Sequence, residues 1–455
     1  MARAAPAAAP HTQVSPGRRC AFRVLRRVTD EGAFADRAFR AGAERAGLDP
    51  RERAFAQQLS YGTVQRLGTL DWLIGKLASR PADDLDPPLR DALRLGLFQL
   101  LFLDGVPDHA AVGQTVELAK TGHGGGHRLA NAVMRRATRD GQRLLDSLDD
   151  SDPAHAALRE SHPEWIARMW WDSLGPDDAV RLMQRDNEPP ESAVRVNELR
   201  ATRDELIAEL AKLGAEPRPA ADLPEGVVLG APFDVHASAP FESGALMPQS
   251  RASMTVARVV APEPGERVLD LCAAPGAKTT HLAALMENRG EVVAVERHAG
   301  RAEALRENCA RLGASIVEVR TGDAAEPVAG DGFDRVLLDP PCSDLGTLQA
   351  RPDVRWRKSP AALEGLRAEQ ERLLAAAAAQ VRPGGVLVYS TCTVSPSENE
   401  ERMLSFLEAN PEFIADDLGG ERPDQRHPHD GRFLQLLPHR HDTDGFFIAR
   451  MRRAA

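Results

Sequence analysis

Two cysteines stand where a run of apolar residues breaks into a turn. Cys392 closes the strand-like segment LVYSTC and is followed by TVSPSENEE, while Cys342 follows LLDPP and precedes SDLGT. Both thiols lie among turn residues, where a thiolate can reach a reactant and act as a nucleophile. Cys309, on a predicted helix, and Cys20 read instead as small buried apolar residues. Acids recur at the same kind of position, with Glu296, Asp323 and Asp339 each following an apolar run. Glu296 comes 20 residues after Gly276, the offset at which an acid grips ribose hydroxyls in a nucleotide-binding βαβ unit. Between them in function stands DLCAAPGAKTTHLA, residues 270–283, in which Pro275-Gly276 makes a tight turn. The small residues Ala273, Ala274 and Ala277 there let a ligand approach the backbone N–H groups. The loop has neither the G-x-G-x-x-G nor the Walker pattern, and three carboxylates without a basic loop would repel a triphosphate. The constellation describes an adenosyl pocket without phosphates, beside two reachable thiols.

Such residues need a scaffold that brings distant segments to one edge. From residue 266 onward ERVLDLC, GEVVAVE, SIVEVRTGD, DRVLLDP and GVLVYST are short Val-, Ile- and Leu-rich runs with helical segments between most of them. Fully apolar strands alternating with helices predict a mostly parallel, doubly wound sheet covered on both faces, in an α/β domain over 241–455. Ligands of such sheets bind beyond the carboxyl ends of the strands, where the residues above fall. In SENEER, Ser397 followed by Glu400 predicts an N-cap box opening a helix.

The rest of the chain follows other periods. Residues 1–16 read as a disordered N-terminus and 17–145 as an all-helical domain; in LRDALRLGLFQLLFL, Leu93, Leu97, Leu100 and Leu101 share one helical face and Asp91 and Arg94 the other. Residues 146–240 mix helical and strand-like pieces and read as a connector with a small α+β subdomain. Its Trp165, Trp170 and Trp171 could stack on bases, though helical spacing favours packing anchors.

At 455 residues the chain is long enough for two or three domains. Its formal charge of −10 divides unevenly: residues 1–80 carry 14 Lys and Arg against 7 Asp and Glu, leaving −17 for the remainder. The basic segment is a possible phosphate-facing surface. Five widely spaced cysteines without a C-x-x-C pair argue for a reducing cytoplasm and against a disulfide or zinc framework. No uncharged stretch approaches the ~18 residues of a membrane span, so no membrane is expected. The histidines of RHPHDG and PHRHDTDG are irregularly spaced and are expected to be solvated loop residues; no metal is expected.

The motifs DLCAAPGAKTTHLA, DPPCS followed by GTLQARPDVRW, and YSTCTVSPSENE resemble those of the two-cysteine RNA (cytosine-5)-methyltransferases, and in detail the RsmB (Sun/Fmu) ribosomal RNA group. The resemblance covers nearly the whole chain. It implies a Rossmann-like class I S-adenosylmethionine-dependent methyltransferase domain preceded by a NusB-like RNA-binding domain, with LLPHRHDTDGFFIARM as a closing hairpin. It implies Cys392 as the nucleophile that adds to cytosine C6, Asp339 as the group that hydrogen-bonds or protonates N3, and Cys342 as the residue that assists release. It further implies Cys272, Ala273, Ala274, Pro275, Gly276, Ala277 and Lys278 around the methionine part of S-adenosylmethionine, Glu296 on the ribose, Asp323 at the adenine amino edge, and Arg301 in a matching position. Small-subunit 16S ribosomal RNA is the implied partner, met by residues 18–27 (RRCAFRVLRR), and the enzyme is expected to be a cytoplasmic monomer. A transfer RNA substrate or a non-catalytic RNA-binding role are the competing readings. An amino-methylating enzyme is disfavoured, because Cys342 and no aromatic follows the DPP acid loop.

Overall fold

A computed structural model of the chain describes residues 14–121, 125–328 and 332–455. Most of the segment expected to be disordered, residues 1–13, lies outside the described residues. Its last two residues are structured: Ser15 caps the first helix, Pro16–Thr29, through its side chain to Arg18 N. The chain forms two compact units, one of residues 1–188 with 350–357, the other of 189–349 with 358–455.

The first unit is all-helical. Seven helices, Pro16–Thr29, Ala35–Ala46, Pro50–Gln65, Leu67–Ala78, Pro87–Leu101, Asp108–Ala119 and His127–Asp146, surround a core that includes Leu59, Leu70, Leu73, Ile74, Leu93 and Leu97. Pro87–Leu101 is central, so the polar face assigned to it does not reach water: Asp91 and Arg94 are both buried. They remain tolerable there as a hydrogen-bonded set, with Arg94 donating to Asp91 at 2.9 Å and to Asp71 at 2.7 Å, and Thr29 donating to Asp91 at 3.1 Å.

Three more helices, Pro153–Arg159, Glu164–Leu174 and Pro176–Arg185, group with this unit. Trp170 packs as an anchor, fully buried, its ring edge-on to His162 at 5.7 Å. The unit is completed from far along the sequence by residues 350–357. Arg355 is wholly buried and donates to the Ser161 carbonyl, the Asn187 side chain and the Asp186 carbonyl, at 3.2, 2.9 and 3.0 Å. Next to it the Trp356 indole donates to the Val64 carbonyl at 2.8 Å.

The second unit holds two sheets. Strands β1 (Ala193–Val196), β2 (Pro217–Pro219), β3 (Gly226–Leu229) and β4 (Leu246–Pro248) form an antiparallel sheet in the order β2-β3-β1-β4. The helix Arg203–Lys212, opened by a Thr202/Glu205 capping box, contributes Leu206 and Leu210 to the core of that sheet. Strand β4 lies beyond the expected limit at residue 240, because it pairs back to β1 across Val194↔Pro248.

The large sheet contains β5 (Arg267–Leu271), β6 (Glu291–Glu296), β7 (Val317–Thr321), β8 (Phe333–Leu338), β9 (Val381–Thr391), β10 (Phe413–Ala415), β11 (Leu434–Leu436) and β12 (Phe446–Arg453). Its order is β7-β6-β5-β8-β9-β12-β10, with β5 to β9 parallel, β10 and β12 antiparallel, and β11 paired to β12. Apolar side chains of β5 alternate between two cores: Leu269 and Leu271 enter one, Val268 the other. Burial on both faces is what an uninterrupted apolar run requires. The hairpin expected near the C-terminus is the β11–β12 pair, with Leu434 opposite Ile448. Of the histidines expected to be solvated, His429 is exposed and His439 and His441 are half-buried, His441 meeting the Asp424 carbonyl at 2.8 Å, whereas His427 is buried with its Nε2 3.3 Å from Glu400.

Candidate active site at the carboxyl ends of the parallel strands

Strand order reverses at β5, and parallel pairing puts the carboxyl ends of β5 to β9 along one edge. That edge therefore collects residues far apart in sequence, as the strand-end rule requires. After β5, Cys272 has φ +65° and Gly276 φ +102°. A Cβ at Gly276 would stand 2.5 Å from Leu305 Cδ1, so this turn admits no side chain there. Ala277 is the first residue of the helix Ala277–Leu285, where a methyl group is at ease. The loop is pinned from several sides. Arg301 donates to the Ala274 carbonyl at 2.8 Å, Asn308 to the Pro275 carbonyl at 2.9 Å, and Thr279 to the buried Asp270 carboxylate at 2.6 Å. From the small sheet, the wholly buried Arg195 donates to Thr280 and Gln249, each at 2.9 Å, so β1 supports the helix that follows the loop.

Beyond the loop lies a cleft lined by Cys272, Glu296, His298, Asp323, Pro341 and Leu373, among others. Glu296 is almost fully buried; it accepts from His298 N at 2.9 Å and lies 3.6 Å from the Arg301 guanidinium. Asp323 accepts from Ala325 N at 2.9 Å and from Arg372 at 3.1 Å, and these bonds hold it below the usual carboxylate range. Burial, then the charges of Asp339, Glu296 and Asp270, pushes the Cys272 thiol up to about 12, so it is a protonated wall of this cleft. Acids set beside the apolar Val295, Ala324, Pro341 and Leu373 suit a ligand that joins a flat ring and sugar hydroxyls to a cationic tail. S-adenosylmethionine is such a ligand.

Asp339 directly follows β8 and is held twice, by Lys278 Nζ at 2.7 Å and by Ser390 Oγ at 2.8 Å. Burial opposes the Lys278 charge, but Asp339 outweighs it and raises the lysine above its ordinary value. The same edge brings the two thiols together. Cys342 Sγ and Cys392 Sγ are 3.3 Å apart, and Cys392 Sγ also donates to Asp344 Oδ1 at 3.3 Å. The ligating atoms of Cys342, Asp344 and Cys392 all lie within 4.8 Å of one another.

The two thiol loops are tied by residues that sequence reasoning passed over. Glu398, fully buried, accepts from Ser343 N at 2.9 Å, from Ser343 Oγ at 2.5 Å and from Gln370 at 2.9 Å. Tyr389 OH donates to the Glu398 carbonyl at 2.8 Å. Asn399 accepts from Thr391 Oγ1 at 2.6 Å and donates to the Thr393 carbonyl at 3.0 Å. The expected N-cap box of Ser397 and Glu400 does not form. The helix Glu400–Ala409 is flanked by Asn399 and has no side-chain cap. The polar cluster after Cys392 is spent on holding the site together, and its pattern is indistinguishable in sequence from a helix start.

Residues 257–452 match the family model described as 16S rRNA methyltransferase RsmB/F, residues 15–139 that of the NusB family, and residues 162–236 the ferredoxin-like domain of RsmF/B-like methyltransferases. A probable ribosomal RNA small subunit methyltransferase B of Synechocystis is 36% identical, over 96% of this chain and 99% of its own. The crystal structure of PH0851 superposes with a TM-score of 0.82 at 27% identity, covering 96% of this chain and 99% of that one. That of NSun6 from Pyrococcus horikoshii with SFG gives 0.61 at 26% identity, covering 65% and 99%.

Proposed function

The chain belongs to the 16S rRNA methyltransferase RsmB/F family, and from that premise we propose that it methylates C5 of a cytosine in small-subunit ribosomal RNA through a covalent bond to Cys392. The observation that carries this reading is the meeting of Cys342 and Cys392 at 3.3 Å, on the sheet edge that also presents the Lys278–Asp339 pair. C5 of cytosine is too weak a nucleophile to take a methyl group unaided. Cys392 loses its proton as Sγ bonds to C6, and the C5=C6 electrons move through the ring toward N3, where the Asp339 carboxylate passes on a proton from Lys278 and holds it. C5 then has enamine character. S-adenosylmethionine, when bound, supplies an electrophilic methyl group on its sulfonium. Residues 272–278 with Glu296, Arg301 and Asp323 are the ones we assign to hold it.

Release requires the C5 proton to leave. Cys342, beside the sulfur of the covalent bond, accepts it after passing its own proton to solvent; C5=C6 re-forms, Cys392 departs and the N3 proton returns through Asp339 to Lys278, so one proton is released for each methyl group transferred. We assign RNA contact to the helical unit, where Arg19 and Arg23 stand exposed on the helix Pro16–Thr29 while Cys20, Ala21, Phe22, Val24 and Leu25 face inward. Phosphate contact and RNA shape would carry recognition there. Among the described residues no helix is long and apolar enough to cross a membrane. We take the active form to be a cytoplasmic monomer.

Detection of the protein–RNA adduct on a denaturing gel, with small-subunit RNA and S-adenosylmethionine, tests the mechanism. Cys342→Ala is expected to accumulate adduct and Cys392→Ala to form none. Methyl transfer that survives loss of Cys392, with no adduct in either variant, would overturn the covalent mechanism and reopen the amino-methylating reading.

A further inference from the structure

We propose that Asp344 is a further catalytic residue, the group that takes the proton of Cys392 as its sulfur bonds to the cytosine. The inference rests on the covalent reading above. Cys392 Sγ already donates to Asp344 Oδ1 at 3.3 Å, so the acceptor is in place before any substrate arrives. Asp344 has φ +59°, a left-handed conformation that residues with side chains seldom adopt. Lys358 steadies the carboxylate from behind, its Nζ 3.9 Å from Asp344 Oδ2 and hydrogen-bonded to the Cys342 carbonyl at 3.2 Å.

A base is needed because the thiol does not ionise by itself. The groups facing Cys392 are Cys342 and Asp344 from the loop after β8, Asp339 directly after β8, and Lys278 from the helix Ala277–Leu285. The hydrogen bond with Cys342, then burial and the carboxylate charges, pushes Cys392 well above the ordinary thiol range. As the S–H bond breaks, the proton passes to Asp344 and the freed electron pair forms the S–C6 bond. When Cys392 leaves at the end of the cycle, the thiolate takes that proton back, so no other reactant is required.

The test is the single-turnover rate of adduct formation for wild type and Asp344→Asn, with small-subunit RNA and S-adenosylmethionine, from pH 6 to pH 10. Asparagine matches the shape and tolerates the backbone but cannot accept the proton. The expected result is a rate at least tenfold lower at pH 7, with the gap narrowing as pH rises and hydroxide removes the thiol proton in place of the carboxylate. Asp344→Gly, whose backbone is at ease at this φ, is expected to show the same pH-dependent loss while folding at least as stably as wild type. A variant that forms adduct as fast as wild type or faster at pH 7 overturns the proposal, since the carboxylate would then only repel the thiolate. If wild type forms no adduct and Cys392→Ala still transfers methyl groups, the covalent mechanism itself fails, a result distinct from the first.

Discussion

Asp270, one residue before the end of β5, lies under the loop that follows and is fully out of water. Burial pushes its carboxyl up to about 7, with the Thr279 hydrogen bond opposing the shift. The folded chain therefore holds this proton more tightly than the unfolded one. Stability contributed at this position is greatest below pH 4 and falls as pH rises toward 7, because the ionised acid is costly to bury. Asp270→Asn, which keeps the Thr279 contact, is expected to gain of the order of 2 kcal/mol over wild type at pH 8, with the difference gone below pH 4. Urea denaturation at the two pH values measures it; an equal effect at both would refute the assignment. At this scale the sequence was legible wherever a residue fell at a strand end. Glu296, Asp323, Asp339, Cys342 and Cys392 could each be placed from the switch between apolar run and turn. Asp270 could not, because a single acid inside a strand says nothing about which side is covered. Asp344 reads as an ordinary turn residue until β8 and β9 are seen to be neighbours.

The elements around the thiols are joined by one side chain and one close backbone approach. Glu398 links the loop after β8 to the segment after β9, and Gln370 adds the helix Pro360–Gln380 by donating also to the Pro341 carbonyl at 3.0 Å. Glu398→Ala would leave the Ser343 and Gln370 donors buried without their acceptor, a loss of the order of 3 kcal/mol. It should lower the melting temperature and also slow adduct formation, whereas a surface Glu→Ala change would do neither. A melting curve with a rapid-quench assay separates the cases. Gly346 shows the second device. Its N donates to the Cys392 carbonyl at 3.0 Å and its carbonyl accepts from Gly445 N at 2.7 Å, and a Cβ on it would fall 2.0 Å from the Gly445 carbonyl oxygen. Gly346→Ala is expected to part the β11–β12 hairpin from the thiol loops and to abolish methyl transfer at wild-type expression levels, with the hairpin amides losing protection in hydrogen exchange. The strands themselves were readable from their period. The helix after Cys392 was also readable, but not the purpose of the residues before it, since a capping motif and a buried acceptor use the same side chains.

The whole molecule is two units threaded by three crossings of the chain, after residues 188, 349 and 357. Periodicity locates helices but does not say which core they join: the NusB match ends at 139, near the expected boundary at 145, while the helices up to 185 still group with the first compact unit. Nor does anything local in ARPDVRW announce that it leaves the α/β unit. Its anchor is the buried Arg355, near Asp186, whose carboxyl is pushed up to about 7 by burial, and His162, held well below its ordinary value first by burial and then by the Arg355 charge. Arg355→Met removes the cation that compensates Asp186 and should destabilise the helical unit by about 3 kcal/mol. Hydrogen exchange is expected to show faster opening of helices between residues 16 and 185 than of β5 to β9; uniform behaviour across both units would argue otherwise. The same discontinuity acts during synthesis. Chains fold from the N-terminus as they emerge, yet the helical unit lacks Arg355 and Trp356 until nearly four-fifths of the polypeptide has been translated. The nascent helices must wait with that seat empty while the first four parallel strands are made, so the segment that would contact RNA reaches its final form only once most of the catalytic sheet exists, and a prematurely terminated chain cannot present it complete.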